Sequence, residues 1–385
     1  MFGETHLSTH PPLPPTTEDD RVSWLRLLRS RRVGPTTFHR MMAEHGTAAA
    51  ALAALPDVAR AAGIENYEAC PLPVALAELK AGRKLGARLI LARDPDYPAD
   101  LRDIDDAPPL LWARGNAGLM ARPLVALVGA RNASSLGLRM ARRLAQDLGA
   151  AGHVTVSGLA RGIDAAVHEA TLATGTIAVL AGGVDIIYPT ENARLYAAIL
   201  EQGLILSEQP PGLDPQARHF PTRNRIVSGL ARALVVVEAA AKSGSLITAR
   251  AALDQGREVL AVPGHPMDAR AAGCNQLLRD GARLVRCGDD ILEALPPLSP
   301  PGLAEPRGPA PLPAPAAAPA PQRPWRQVAA LHAMILDRLT PSPIGEDQLI
   351  RDLEAEAQVV APALLDLELD GRIQRHPGGL ITRRD

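Results

Sequence analysis

From Leu124 onward the chain alternates short β-rich runs with amphipathic helical runs, and this alternation constrains its fold more than any other feature. The predicted strands are Val125–Val128, His153–Val156, Thr176–Leu180, Leu204–Leu206, Ala233–Val237, Glu258–Val262 and Arg283–Val285. Helical periodicity separates them, as in Leu136–Gly149, Asp164–Ala173 and Leu246–Gln255. Strands that are almost continuously apolar and alternate with helices are typical of a parallel sheet covered on both faces. We therefore predict an α/β fold with a doubly wound, mostly parallel, Rossmann-like sheet and right-handed connections.

Shifts in composition divide the 385 residues into successive parts. A Pro- and Thr-rich tail (1–20) is expected to be disordered, and short helical patterns follow over 21–90. The α/β alternation occupies 91–292, and a Pro- and Ala-rich stretch (293–324) is predicted to be a semi-extended linker. Helices and then two short strand patterns around a Pro-Gly-Gly turn fill 325–385, which predicts a small winged helix there.

Charge and cysteine content exclude several classes of protein. The formal net charge is −1, so any nucleic-acid site must be a local basic patch. The three cysteines, Cys70, Cys274 and Cys287, are widely spaced and form no CxxC pair, so neither a metal site nor a disulfide framework is expected. The first residues lack a signal-peptide pattern, and no run of 18 apolar residues occurs. We expect a cytoplasmic protein with no membrane contact and no cofactor.

The loop after the first predicted strand contains Gly129, Arg131 and Ser135. In open parallel sheets, ligands bind beyond the carboxyl ends of the strands. Gly129 allows a close backbone turn, Ser135 can cap the next helix, and Arg131 places a positive charge where an anion would meet the helix N-terminus. The sequence here is not a GxGxxG dinucleotide motif, and a plain strand–helix turn is the alternative.

The loop after the second predicted strand contains Ser157, Gly158, Arg161 and Gly162. Dinucleotide-binding enzymes place an acidic residue at the end of this strand to hold the ribose hydroxyls. Here the strand ends in Ser-Gly and an arginine follows. The pattern therefore favours a phosphate over NAD.

The densest basic cluster of the α/β region lies around residues 218–225. It contains Phe220, Arg223, Asn224 and Arg225, and Phe220 is one of only three phenylalanines in the chain. An aromatic ring beside several arginines can stack a base and neutralise phosphates. The alternative is a solvated helix start with Phe220 in the core.

The loop after the fifth predicted strand reads Lys242-Ser243-Gly244-Ser245 and opens a helix. Lysine occurs elsewhere in the chain only at Lys80 and Lys84, so a single lysine retained in a Gly/Ser loop resembles a phosphate contact. The Walker A pattern GxxxxGK[ST] is absent, so the sequence offers no sign of nucleotide hydrolysis.

The loops predict no catalytic residues. Asp164 is expected to be a residue of a first helical turn rather than a general base, and His168 is expected to be structural. Glu208 and Glu238 end strands and are the best remaining catalytic candidates, which keeps a nucleoside-monophosphate phosphoribohydrolase open as an alternative. The signature Pro-Gly-Gly-x-Gly-Thr of such enzymes is absent, and the only Pro-Gly-Gly lies at 377–379.

Long stretches of the chain closely resemble the DNA-processing protein A (DprA, also called Smf) family. They are VGARNASSLG, SGLARGIDAAVHEATL, AVLAGGVDIIYPTEN, ILSEQPPG, HFPTRNRIVSGLARALVVVEAAAKSGSLITARAALDQGREVLAVPG and GCNQLLRDGA. The resemblance covers most of residues 90–290 in unbroken order. It implies an extended Rossmann-like fold that binds single-stranded DNA, protects incoming strands in natural transformation, helps to load the RecA recombinase and functions as a homodimer without established enzymatic activity. By motif, the family's basic pocket maps to Arg131, Arg161, Arg223, Arg225 and Lys242.

The regions flanking the α/β domain also resemble parts of this family. Residues 20–90 resemble its SAM-like helical domain, and VGPTT inside them also suggests a helix-hairpin-helix loop. The chain departs from the family pattern at Ala130, where Ser or Thr is usual, at Leu136, where an aromatic is common, and in AGGVD.

The predicted winged helix is acidic in its helical part. The carboxylates are Glu346, Asp347, Asp352, Glu354, Glu356, Asp366, Glu368 and Asp370. DNA would repel such a recognition helix, so we expect it to contact protein. A sequence-specific regulator that acts through the winged helix is the alternative.

Overall fold

A computed structural model describes residues 18–295 and, in the C-terminal part, 334–339, 344–353, 360, 363–364, 367, 373–376 and 380–383. The chain forms two compact units, divided between residues 298 and 299. The predicted tail lies almost wholly outside the described residues, as does the predicted linker.

Four helices precede the sheet: α1 (Glu18–Arg29), α2 (Pro35–His45), α3 (Ala48–Ala61) and α4 (Leu72–Lys84). The predicted helical character of 21–90 is confirmed as far as Lys84, where α4 ends, whereas Arg88–Leu91 is a strand. Helix α1 begins at Glu18, inside the expected tail, because Glu18, Asp19 and Asp20 place negative charge on its N-terminal turn and favour helix there. Trp24, Leu25 and Phe38 are buried in a core that is continuous with that of the sheet.

A nine-stranded sheet forms the centre of the first unit, in the order β1-β2-β6-β5-β4-β3-β7-β8-β9. Its strands are β1 (Arg88–Leu91), β2 (Leu110–Gly115), β3 (Leu124–Val128), β4 (Val154–Ser157), β5 (Thr176–Val179), β6 (Leu204–Ser207), β7 (Ala233–Val236), β8 (Glu258–Ala261) and β9 (Arg283–Leu284). Strands β3 to β9 pair in parallel, as predicted.

Strands β1 and β2 were not predicted, and the sheet therefore begins before the expected start of the alternation at Leu124. Strand β2 pairs antiparallel with β6 and with β1. The helix that follows β1 has only four residues, and a 3₁₀ helix of five residues follows β2, so the βα alternation does not reveal these two strands. Residue 88, not residue 91, is thus the first residue of the sheet.

The helices that follow the sheet strands cover both of its faces. They are α5 (Ala99–Arg102), α6 (Ser135–Ala150), α7 (Ile163–Thr171), α8 (Ala193–Gln202), α9 (His219–Leu230), α10 (Ser245–Asp254), α11 (Ala272–Arg279) and α12 (Gly288–Ala294). Alternate residues of a strand point to opposite faces. Val125 and Leu127 of β3 accordingly pack in a core with α6 and α7, whereas Ala126 and Val128 lie in the other core. The predicted doubly wound fold is confirmed.

The second unit contains β10 (Ile344–Gly345), α13 (Glu346–Asp352), β11 (Ile373–His376) and β12 (Leu380–Arg383). Its strands form an antiparallel sheet in the order β10-β12-β11, which confirms the predicted strand pair. Helix α12 of the first unit extends to Ala294 and therefore enters the predicted linker by two residues. Most of the predicted acidic cluster lies outside the described residues. Across the described part of the chain, no helix is both long and apolar enough to cross a membrane.

Candidate nucleic-acid interface

Most of the predicted site residues lie close together at the carboxyl edge of the sheet, beside the neighbouring strands β3 and β7. The chain passes from β3 outward through β4, β5 and β6 and then returns to the other side of β3 at β7. At this reversal the loops after β3 and β7 diverge to opposite faces and leave a crevice at the carboxyl edge of the sheet. The crevice is a cleft of about 450 Å³. Of the predicted site residues, it is lined by Gly129, Arg131, Gly158, Phe220, Arg223, Asn224, Ser243, Gly244 and Ser245.

The loop after β3 is held in place by Glu238, the second residue after β7. The Glu238 carboxylate accepts hydrogen bonds from the backbone N–H and the hydroxyl of Ser134. The Ser134 hydroxyl oxygen accepts the Gly137 N–H and is the N-cap of α6. The expectation that Ser135 caps this helix is therefore wrong, because Ser135 is already the first helical residue and is exposed.

The loop after β4 approaches Arg223 so closely that only glycine fits at position 158. A Cβ there would lie 1.7 Å from Arg223 Nη1. The N–H groups of Gly158 and Ala160 donate to the buried carboxylate of Asp164, at 3.1 and 3.3 Å. Ser157 does not reach the cleft, because its hydroxyl is buried and donates to the Leu127 carbonyl. Gly158 and Ser157 therefore shape the loop, and the Ser157 hydroxyl is not offered to a ligand in the cleft.

Gly162 and Arg161 complete this loop in different ways. Gly162 has φ = +77°, and a Cβ there would lie 2.3 Å from the Ala130 carbonyl oxygen, so it permits the β3 and β4 loops to pack together. Gly162 does not line the cleft. Arg161 is exposed, lies at 3.7 Å from Glu191 and lines a second cleft of about 270 Å³.

Arg131 and Phe220 separate the two clefts, since both residues line each of them. The guanidinium carbon of Arg131 lies 5.3 Å from the centroid of the Phe220 ring, which is a cation–π arrangement. Tyr188 also contacts Phe220, with ring centroids 5.6 Å apart and the rings tilted by 56°, and is half exposed. The alternative that Phe220 belongs to the core is thus not what is observed, because its ring is partly open to both clefts.

Arg223 brings positive charge to the floor of both clefts. It is 7% exposed and donates from Nη1 to the Val179 carbonyl at 2.8 Å, while its Nε has no hydrogen-bond partner among the described residues. Burial lowers the pKa of this guanidinium, and the nearby Asp164 carboxylate opposes that shift. Burial likewise raises the pKa of Asp164, with Arg223 acting in the opposite direction. Because Arg223 lines both clefts, its positive charge is placed where it can attract an anionic ligand.

The N-terminus of α10 forms the wall opposite Phe220. Ser243 and Ser245 line the cleft with Gly244, and their hydroxyl oxygens are 2.7 Å apart. Lys242 precedes them, but its exposed side chain lies along a separate groove between α10 and α11. The expectation that Lys242 joins the other basic residues in one pocket is therefore not met by the structure.

Arg225 also lies away from the cleft, contrary to the sequence prediction. Its side chain is 9% exposed and pairs with Glu208 at 2.7 Å and with Asp106 at 3.1 Å. It lies two residues from Arg223 on α9, and residues at this spacing face different sides of a helix. Arg223 and Arg225 are therefore close in sequence, but the geometry of the helix directs their side chains to different sides of α9.

Several residues that line the clefts were not among the predicted site residues. In the first cleft they are Val128, Ala160, Asp164, Pro221, Val227, Ile247 and Thr248, and in the second Tyr188, Pro189, Thr190 and Glu191. The apolar residues among them, some buried such as Val128 and some exposed such as Ile247, belong to no motif and give no sequence signal. Asp164 does give one, because an acidic residue that follows a glycine-rich strand end can accept N–H groups of its own loop.

The catalytic candidates are occupied by structural contacts. Glu208 pairs with Arg225, and Glu238 accepts hydrogen bonds from Ser134. His168 is fully buried, its Nδ1 lies 2.7 Å from the Thr176 hydroxyl, and burial lowers its pKa to about 3. Among the described residues, no group of three His, Cys, Asp or Glu side chains could hold a metal ion. The cleft therefore offers cations, hydroxyls and helix N-termini, which bind anions, rather than a nucleophile with its base.

Three family models match the chain. The model for DNA recombination-mediator protein A matches residues 88–296, which is more than half of the chain. The DprA-like N-terminal HHH domain matches 18–81, and the DprA winged helix domain matches 311–379. The chain belongs to the DprA family. Its parts are thus an N-terminal HHH helical domain, a central mostly parallel α/β sheet and a C-terminal winged helix domain.

Individual DprA proteins are similar over long stretches. The DNA processing protein DprA of Streptococcus pneumoniae is 47% identical over 201 residues, which cover 52% of this chain and 71% of that protein. The DprA of Bacillus subtilis is 42% identical over 243 residues, covering 62% and 82%.

Two solved DprA structures are also similar. The X-ray structure of DprA from S. pneumoniae has a TM-score of 0.56 and 40% identity, and covers 63% of this chain and 87% of that one. The DprA of Helicobacter pylori, whose structure concerns its single-stranded DNA binding mode, has a TM-score of 0.50 and 29% identity, and covers 54% and 94%. The resemblance seen in the sequence motifs is confirmed.

Proposed function

We propose that this chain binds single-stranded DNA in the cleft between the β3, β4 and β7 loops, and that it does so without catalysis. The observation that carries the proposal is the stack of Arg131 on Phe220 above the buried Arg223. A base can stack against the exposed aromatic surface while phosphates approach the guanidinium groups. The H. pylori relative, whose structure concerns single-stranded DNA binding, supports the same ligand.

A polymer fits this cleft better than a mononucleotide does. The cleft is open and continues past Arg131 into the second cleft with Arg161 and Tyr188. Stacking on rings and contacts to phosphates read no particular base, so we expect little sequence preference. Of the predicted contacts, Arg131, Arg161, Phe220, Arg223, Asn224 and Ser243–Ser245 remain candidates for direct contact.

The direct test is fluorescence anisotropy of a labelled oligothymidylate across a range of salt concentrations. We expect tight binding that weakens linearly on a log–log plot, since each neutralised phosphate of a single strand adds about 0.7 to the slope. A duplex of the same length should bind more weakly. Equal affinity for duplex and single strand would contradict a cleft that needs an unstacked base.

The absence of catalysis is tested by turnover. Glu208 and Glu238 are the residues that a phosphoribohydrolase would need, and both are engaged in contacts that hold loops and helices. Purified protein incubated with each nucleoside monophosphate should release no free base. Release that is lost in a Glu238→Gln variant would favour the hydrolase instead.

The resemblance to the family extends the proposal to partners and cellular role. We propose that the protein acts in the cytoplasm during natural transformation, protects incoming strands, helps to load RecA and functions as a homodimer. A dimer would place two clefts on one strand and raise the apparent affinity. Sedimentation equilibrium tests the dimer, and the rate of RecA filament formation on oligothymidylate, with and without the protein, tests loading. A monomer would overturn the proposed homodimer, and an unchanged rate of filament formation would overturn the proposed loading of RecA.

A further inference from the structure

Arg225 projects from α9 on the side that faces away from the cleft. Arg223 and Val227, on either side of it in the sequence, both line the cleft. Arg225 instead enters a buried pair with Glu208, whose side chain is only 12% exposed, and its Nε donates toward Asp106 at 3.1 Å. Its Nη1 is fully buried and has no hydrogen-bond partner among the described residues. The guanidinium is therefore not presented to a ligand in solvent.

The backbone of Arg225 joins the two helices that form the walls of the cleft. Its carbonyl oxygen accepts Gln255 Nε2 at 3.0 Å and the Ser228 hydroxyl at 3.2 Å. Gln255 is the C-cap residue that follows α10, and the other end of α10 carries Ser245 into the cleft. A displacement of Arg225 would thus act on α9 and on α10 together.

Glu208 connects this pair to the N-terminal helices. Its backbone carbonyl accepts Arg29 Nη2 from α1 at 3.1 Å. Arg29 is itself paired with the buried Glu78 of α4 at 2.8 Å, and the same carboxylate accepts Trp112 Nε1 of β2 at 2.9 Å. The contacts therefore run without a gap from α1 and α4, through the end of β6, to α9.

The energetics of buried charge make this arrangement stiff. Glu208 and Arg225 compensate each other in a low-dielectric setting, and removal of one partner leaves the other buried and unpaired. Small shifts of α9 would lengthen a 2.7 Å contact that little solvent can replace. The helix is thus held on its rear face by charge while its front face carries Phe220 and Arg223.

We propose that Arg225 is a positioning residue, which with Glu208 and Asp106 fixes α9 so that Phe220 and Arg223 face the single-stranded DNA, and through which the N-terminal helical domain supports the cleft. This inference rests on the proposed function, because it concerns the same cleft. It differs from the sequence prediction, in which Arg225 neutralises a phosphate.

The test uses the full-length protein and a labelled oligothymidylate. We expect Arg225→Gln to weaken binding about tenfold. The slope of log affinity against log salt should stay at the wild-type value, since no phosphate contact is lost. Loss of a contact would lower that slope by about 0.7. Arg225→Lys keeps a cation beside Glu208 and should recover part of the affinity. Circular dichroism melts establish that each variant is folded at the temperature of the binding measurement.

A second variant keeps the proposal testable if Arg225→Gln does not fold. Arg29→Gln removes the contact to the Glu208 carbonyl far from the cleft and should show the same signature, with weaker binding and an unchanged slope. Arg232→Gln breaks an exposed pair with Asp100 at the opposite edge of the sheet and should bind as wild type does. Wild-type affinity in both Arg225→Gln and Arg29→Gln, or a reduced slope in Arg225→Gln, would overturn the proposal.

Failure of the proposed function gives a different result. In that case the wild-type protein itself would bind oligothymidylate weakly, or Arg131→Gln would leave both affinity and slope unchanged. The positioning role alone is overturned when Arg131→Gln behaves as a contact but the Arg225 and Arg29 variants bind normally.

Discussion

The guanidinium of Arg131 lies over the ring of Phe220, 5.3 Å from its centroid, at the boundary between two clefts. The two residues come from different parts of the chain, one from the loop after β3 and the other from the first turn of α9. Their contact combines an exposed positive charge with the apolar face of an aromatic ring. Because charge and stacking respond differently to salt, the two contributions can be separated by experiment.

Removal of the Arg131 charge should change the salt dependence of binding. We expect Arg131→Gln to lower the slope of log affinity against log salt by about 0.7, since one phosphate contact is lost. Arg279→Gln, which removes an exposed arginine on α11 outside both clefts, is the control and should keep the wild-type slope. An unchanged slope for Arg131→Gln would place this arginine outside the DNA path.

Removal of the Phe220 ring should weaken binding without altering its salt dependence. We expect Phe220→Ala to cost about 1–3 kcal/mol of binding free energy, because a base loses its stacking surface. Phe220→Tyr retains an aromatic face and should bind nearly as wild type does. Anisotropy titrations at several salt concentrations measure both quantities, and a lower slope for Phe220→Ala would show that the ring acts through Arg131 instead.

Gly158 and Gly244 form a matched pair in the same cleft. A Cβ at position 158 would meet Arg223 Nη1 at 1.7 Å, whereas a Cβ at 244 would meet nothing within 4 Å. We expect Gly158→Ala to displace Arg223, to destabilise the fold by about 1–3 kcal/mol and to weaken binding. Gly244→Ala, by contrast, should leave the stability of the fold unchanged. Urea denaturation and anisotropy give the two readings, and equal behaviour of the variants would refute the close approach of Arg223.

The stability of the first unit should depend on pH through His168. Burial lowers its pKa from 6.5 to about 3 in the folded protein, so only the unfolded chain takes up a proton between these values. The free energy of unfolding therefore falls as pH drops below 6.5, by about 2 kcal/mol at about pH 5. His168→Asn lacks the titrating ring and should lose less stability over the same range. Urea melts of the wild type and of His168→Asn at pH 6.5 and at about pH 5 test this. An equal loss of stability in the two proteins would contradict the prediction.

Removal of residues 296–385 should leave the affinity for oligothymidylate unchanged. Both cores of the first unit are built from residues before 296, and both clefts lie within it. A protein that ends at residue 295 should therefore bind as the full chain does. A marked loss of affinity would instead assign part of the binding to the winged helix.

Much of the fold follows from local pattern, and this explains which elements were predicted. Strands β3 to β8 are short, largely apolar runs bounded by loop residues, and each is followed by a helix. Strands β1 and β2 are also short apolar runs, but the helices that follow them have only four and five residues, so the alternation of strand and helix is not visible there. In addition, β2 pairs antiparallel with β6, about 90 residues away along the chain. The predicted N-cap of α6 was wrong by one residue for a related reason. The observed cap, Ser134, is hydrogen-bonded to Glu238, which lies beyond the end of β7 and is distant in sequence.

The amino-acid sequence by itself determined the fold class, the family and the loops that form the cleft. It did so because strand and helix periodicity are local, and because the motifs occur in unbroken order. Only the tertiary structure decided which basic residues share that cleft. Arg131, in the loop after β3, and Arg223, on α9, line the same cleft, whereas Arg225 and Lys242 point elsewhere. The direction of a side chain depends on its position around the helix axis and on partners that are distant in sequence, such as Glu208. A local sequence pattern predicts neither the position nor the partner.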